Sequence, residues 1–115
     1  MVTIQPELNR IKAKFYAFDA SDFAVSQSKV AEIVAEFGRI DILVNNAGIT
    51  KDGLSFRMKM EDWKKVIDVN LTAVFAITQI VSSDMIRKKC GSIINMSSIS
   101  GVHGEGGQVN YSASK

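Results

Sequence analysis

The chain has 115 residues, 46% hydrophobic and 23% charged, with a formal net charge of +2. That length holds one domain with a real core and not two, and the balance is that of an ordinary globular protein. The charge is too small and too scattered to point to nucleic acid, and a lone Cys90 excludes an internal disulfide and supplies no metal-ligand cluster.

Leu8 and Ile11 within Ile4 to Lys12 have the spacing of a helix end. Lys14 to Phe18 reads as a short strand stopped by Asp19. Ser21 is placed to cap a helix over Asp22 to Phe37. Val30, Ile33, Val34 and Phe37 recur there at three and four, and Gly38 supplies the stop. Ile40 to Val44 is a compact apolar run, as in a strand buried on both faces. Gly48 to Met60 is a loop.

A long helix is predicted from Glu61 to Lys88. Glu61 and Asp62 suit its first turn, and Arg87-Lys88-Lys89 its last. Lys59 stands where a capping Ser or Thr is expected. Val66 to Val81 is apolar on most sides and predicts broad burial. Gly91 breaks the helix, Ser92 to Met96 is a third buried strand, and a glycine-rich loop runs from Ser97 to Gln108. No run of about 18 continuous apolar residues predicts a membrane span. Met1 to Arg10 lacks the basic start and apolar core of a signal peptide, so a reducing, cytoplasmic location is expected.

Alternation of strand and helix predicts an α/β class with a parallel sheet. Ligands of such sheets bind at the carboxyl ends of the strands. Asp19, Asn45 to Gly48 and Ser97-Ser98 all fall there. Tyr111 and Lys115 are four apart and share a face if a helix opens at Tyr111. An ammonium beside a phenol favours the phenolate, which suits proton transfer. Ser98 stands 13 residues before Tyr111. The loop from Gly101 to Gly107 lacks the G-x-G-x-x-G spacing of a phosphate cradle and reads as an active-site loop with His103 on its rim.

Through Asn45-Asn46-Ala47-Gly48, Asn70 in Asp68-Val69-Asn70-Leu71, Ser98, and Tyr111-x-x-x-Lys115, the chain resembles the short-chain dehydrogenase/reductases over essentially its whole length. Within them it is most similar to the β-ketoacyl-acyl-carrier-protein reductases, through Ile49-Thr50-Lys51-Asp52, Arg57-Met58, Asp62-Trp63 and Gly106-Gly107-Gln108-Val109-Asn110-Tyr111. Acetoacetyl-CoA reductases are similar over the same stretch. The resemblance implies a Rossmann-type doubly wound sheet, here incomplete over residues 1–115. These would be the third to fifth strands, without the first two strands, their glycine-rich turn and the C-terminal part.

It further implies reduction of a 3-oxoacyl thioester on acyl carrier protein to the (3R)-hydroxyacyl form. NADPH is implied by the subfamily and NAD remains open. A homotetramer is implied, with no metal, nucleic acid or membrane involved. Tyr111 would be the general acid and Ser98 would bind the substrate carbonyl. Lys115 would favour the Tyr111 phenolate and hold the nicotinamide ribose. Asn70 would hold a water through its main chain. Asn46, Ala47 and Gly48 would lie against the cofactor, with Asp19 and Ala20 at its adenine end. Arg57 is similar to a basic residue near the acidic carrier protein.

Two rival readings stand: another short-chain ketone or alcohol oxidoreductase with the same core, acting on acetoacetyl-CoA, a steroid or a sugar, and a non-catalytic fragment or regulatory partner. In the strand order 3-2-1-4-5-6 the missing strands lie between the third and the fourth, a gap of roughly 14 Å. These residues alone are therefore expected not to fold stably in the native arrangement.

Overall fold

The computed structural model describes residues 12–115. The predicted helix end at Ile4 to Lys12 lies, but for Lys12, outside the described residues. Helix α1 spans Phe23–Phe37, strand β1 Ile42–Asn45, helix α2 Met60–Ile67, helix α3 Ala73–Lys88, strand β2 Ser92–Asn95, helix α4 Ile99–His103 and helix α5 Val109–Ser114.

Asp22, not Ser21, caps α1: its carboxylate accepts from the Val25 amide at 3.1 Å. Ser21 is otherwise engaged, because both its amide and its hydroxyl donate to Asp19 Oδ1, at 2.9 and 2.6 Å. Gly38, at φ 89°, closes the helix by donating to the Val34 carbonyl.

β1 and β2 pair in parallel with Ile42 opposite Ser92 and Asn45 opposite Asn95. α1 and α3 cover one face, where Leu43 joins the cluster of Val30, Val81 and Met85. The expected burial of both faces is not met: Ile42 is 62% and Val44 51% exposed, and β2, expected to be buried as well, is exposed along its whole length. Nothing among the described residues covers that second face. Lys14 to Phe18 is not a strand. A strand needs a ladder partner, and this segment has none among the described residues. It is held instead by the ion pair of Lys14 with Glu36.

The long helix runs from Met60 to Lys88, and Lys59 gives it no side-chain cap. A π-helical segment, Asp68–Thr72, joins α2 to α3. Burial is narrower than predicted. Val66, Asn70, Ala73 and Val81 turn inward, while Leu71 and Phe75 are exposed. The helix stops at Lys89, which takes the left-handed conformation at φ 55°, before Gly91 is reached. Gly91 is needed for a different reason: a Cβ there would lie 2.5 Å from the Met85 side chain. By length and composition Met60–Lys88 could cross a bilayer. Here its buried residues instead pack against α1, β1 and α5, as the core helix of an α/β layer does.

Ser97 to Gln108 is not loop throughout. Ser98 caps the short α4, and α5 already begins at Val109.

Candidate active site

β1 leads into Asn46-Ala47-Gly48, and β2 leads into Met96-Ser97-Ser98. The parallel register brings both carboxyl ends to one edge. Asn45 and Asn95, opposite each other, clamp that edge: Asn45 Nδ2 donates to Asn95 Oδ1 at 2.8 Å and to Thr78 Oγ1 at 2.9 Å. Beyond it opens a cleft of about 540 Å³ lined by Asn46, Gly48, Met96, Ser97, Tyr111 and Lys115 among others.

The Lys115 ammonium donates to the Met96 carbonyl at 3.2 Å and lies 5.9 Å from the centre of the Tyr111 ring. One turn of α5 accounts for the second distance, since residues four apart share a face. Gly48 forms the third side. A Cβ on it would stand 3.4 Å from both Lys115 Nζ and Asn70 Oδ1. A longer side chain there would occupy the ammonium's place. The glycine therefore keeps a gap against which a flat ligand could lie.

Asn70 lies in the π segment and is 3% exposed. Its Oδ1 accepts from the Ile49 amide at 2.8 Å, and its Nδ2 donates to the Ile49 carbonyl at 2.9 Å. The same Nδ2 donates to Ser114 Oγ at 3.1 Å, which donates in turn to the Tyr111 carbonyl at 2.7 Å. A π segment widens the turn locally and is often found at functional sites. Here it presents a buried amide that ties the loop after β1 to the tyrosine-bearing helix.

Ser98 is half-buried at the N-cap of α4, and its Oγ accepts from the Ser100 amide at 3.2 Å. That use leaves its own hydrogen free to donate to a ligand oxygen. Ser97 lines the cleft and donates to the Lys115 carbonyl at 2.9 Å.

Ala20, Asn46 and Ala47 share a second, more apolar cavity of about 210 Å³ beside β1. Asn46 borders both cavities. The predicted cofactor residues thus form a strip from Ala20 past Ala47 and Asn46 to Gly48 and Lys115. Asp19 is exposed at the outer end, and hydrogen bonds from the Ser21 hydroxyl and then the Ser21 amide hold its carboxyl below the usual range.

The contacts of four neighbours escape sequence reasoning, which names Ser97, Gly101 and Asn110 by place only. Asn110 is fully buried and accepts from the Tyr111 amide at 2.8 Å while donating to the Lys51 carbonyl at 2.9 Å. Ser114 bridges Asn70 and Tyr111, Ser97 holds Lys115, and Gly101 lies against the Lys115 backbone. The signal is weak: a polar residue just before Tyr111, a small one within Tyr111-x-x-x-Lys115, and two small ones flanking Ser98.

The parallel strand pair, its covering helices and this edge cleft define a piece of a Rossmann-type α/β domain. The chain belongs to the short chain dehydrogenase family, whose model matches residues 2–115. It is 51% identical over 100 residues to a 3-oxoacyl-acyl-carrier-protein reductase of Thermotoga maritima, covering 87% of this chain and 41% of that protein. A 3-oxoacyl-acyl-carrier-protein reductase of Synechocystis is 59% identical over 80 residues, 70% of this chain and 32% of the relative. An acetoacetyl-CoA reductase of Acinetobacter is 44% identical over 102 residues, 89% of this chain and 41% of the relative. The chain thus spans about two fifths or less of the length of these curated relatives.

Proposed function

We propose that the protein carrying these residues reduces a 3-oxoacyl thioester on acyl carrier protein to the (3R)-hydroxyacyl form with NADPH. The observation that carries the reading is the Lys115 ammonium, held between the Met96 carbonyl, the Tyr111 ring and the open face of Gly48. The residues fit a nicotinamide cofactor: Gly48 leaves room for a flat ring, and an ammonium suits the vicinal hydroxyls of a ribose. Asn46, Ala47, Gly48, Tyr111 and Lys115 would hold that end, and Asp19 and Ala20 the adenine. When bound, the reduced cofactor supplies a hydride.

As the carbonyl carbon gains that hydride, its π electrons move to oxygen. Ser98 donates a hydrogen bond to this oxygen and fixes it. The Tyr111 O–H bond breaks, and its proton goes to the same oxygen. Lys115 stabilises the phenolate left behind, and the Asn70 main chain holds a water through which the proton is replaced. A placed donor of this kind is worth roughly 10²–10³ in rate, and general acid catalysis about 10²–10⁴. The enzyme would be a cytoplasmic homotetramer, with the exposed Leu71 and Phe75 of the long helix available to a partner copy.

Tyr111→Phe in the whole protein tests the mechanism. Loss of NADPH oxidation with cofactor affinity largely retained is expected, and full activity would refute it. The Acinetobacter relative favours a second reading, reduction of acetoacetyl-CoA. Comparing kcat/KM for the acetoacetyl group on carrier protein and on CoA separates the two.

A further inference from the structure

Lys115 is a flexible side chain with several rotatable bonds. Its ammonium donates to the Met96 carbonyl and its amide to the Tyr111 carbonyl at 3.1 Å, but a head group stays in register only if its Cα is also fixed against the end of β2. Two contacts do this from the segment after β2. Ser97 Oγ donates to the Lys115 carbonyl at 2.9 Å. Gly101 is packed so closely that a Cβ on it would stand 2.6 Å from the Lys115 carbonyl carbon, 3.0 Å from its oxygen and 3.2 Å from its Cβ. Distances under about 3 Å to backbone are not tolerated without movement. Gly101 is also part of α4, the helix capped by Ser98. One short rigid element therefore relates the predicted substrate-binding hydroxyl to the lysine.

We propose that Ser97 and Gly101 are positioning residues for Lys115: together they hold its backbone at a fixed distance from the end of β2, and so set where the ammonium falls. Neither needs to touch substrate or cofactor. The glycine is required for absence of bulk, not for backbone freedom. The serine is required for one donor.

The inference rests on the functional reading for its consequence in catalysis but not for its geometry. The test therefore has two arms, both in the whole protein, with Ser97→Ala, Ser97→Thr and Gly101→Ala. The first arm follows reductive methylation of Lys115 by peptide mass spectrometry, which reads how firmly the ammonium is held and needs no turnover. Ser97→Ala and Gly101→Ala should methylate faster at Lys115 with the other lysines unchanged, and Ser97→Thr should restore the slow rate.

The second arm measures kcat and the KM for NADPH and thioester. Loss of one neutral hydrogen bond in Ser97→Ala should lower kcat about fivefold. Displacement of the backbone in Gly101→Ala should lower it roughly 10²-fold. The thioester KM should change little in both. A changed methylation rate in a protein with no reductase activity would support the positioning and refute the functional reading. Lys115 methylation at the wild-type rate in Ser97→Ala and Gly101→Ala alike would overturn the proposal.

Discussion

Asn110→Ala is the most informative single substitution, because this side chain is fully buried and every polar atom on it is used. Oδ1 accepts from the Tyr111 amide at 2.8 Å. Nδ2 donates to the Lys51 carbonyl at 2.9 Å and, at a long 3.4 Å, to the Asp62 carbonyl. Tyr111 lies in the first turn of α5, where amides lack helical partners. Truncation leaves that amide and the Lys51 carbonyl unpaired. Each buried unpaired group costs about 1–3 kcal/mol. Lys51 is exposed, so water can reach its carbonyl and the lower end applies there. The sum is roughly 2–4 kcal/mol, a large share of a domain's roughly 5–15 kcal/mol. Urea melts of the whole protein should show this loss, and kcat should fall at least about tenfold as Tyr111 loses its anchor.

Asn110→Asp sharpens the test. Its carboxylate would face the carbonyls of Lys51 and Asp62, so the neutral acid is favoured in the fold and the folded pKa is raised above about 3.9. Relative to wild type, that variant should be least impaired below about pH 4 and lose stability as pH rises through the folded value. An alanine variant with wild-type stability and kcat would refute the reasoning.

Gly48→Ala should cost little, since its Cβ meets Lys115 Nζ and Asn70 Oδ1 at 3.4 Å. Gly48→Val adds two methyl groups against the ammonium and should lower NADPH-dependent kcat/KM roughly 10²-fold; steady-state kinetics reads both. Ser21→Ala removes the larger cause of the lowered Asp19 carboxyl, so an NMR titration should find that pKa risen toward the usual value. In the unmodified protein, Asp19 supports the fold above its unfolded value of about 3.9, and this support fades as pH falls through the lower folded value. The 115 residues on their own should melt without a sharp transition. Calorimetry checks this, and a cooperative peak would contradict the exposure of Ile42, Val44 and Ile94 on the sheet.

The helices and strands that form were legible wherever periodicity and partner agree. α1, β1, the long helix and β2 fall within a few residues of their predicted bounds. Lys14 to Phe18 failed because strand propensity is only half of a strand and the other half is a neighbour. The α1 cap is not legible in the sequence because Ser21 and Asp22 are both good caps, and it is Asp19 that captures the serine. Tyr111, Lys115, Asn70 and Gly48 were legible as motif residues, and they do converge on one cleft. Gly101 and Asn110 stand within a legible loop and motif, but with no role of their own. Their importance lies in a contact distance and in a buried amide's partners, and neither quantity has a one-dimensional signature.

That difference says what kind of order the site has. Among the described residues the buried apolar set is Val30, Val66, Ala73, Val81 and Met85, and the buried polar set is as large: Ser26, Asn45, Asn70, Asn110 and Ser114. Four of those five polar residues bond directly across the elements that make the cleft, or brace the tyrosine within it. Hydrophobic burial is non-directional and tolerates small shifts. Buried amides tolerate few, because a displaced group is left without water or partner. The core therefore settles which layers meet, while the asparagines settle the register at which the tyrosine-bearing helix meets the loop after β1. Conservative changes at Val81 or Met85 should lower the melting temperature and leave KM values intact. A change at Asn70 or Asn110 should alter kcat even where the melting temperature is restored by added stabilisation elsewhere. If kcat tracked melting temperature alone across both sets, the network would be no more than additional core.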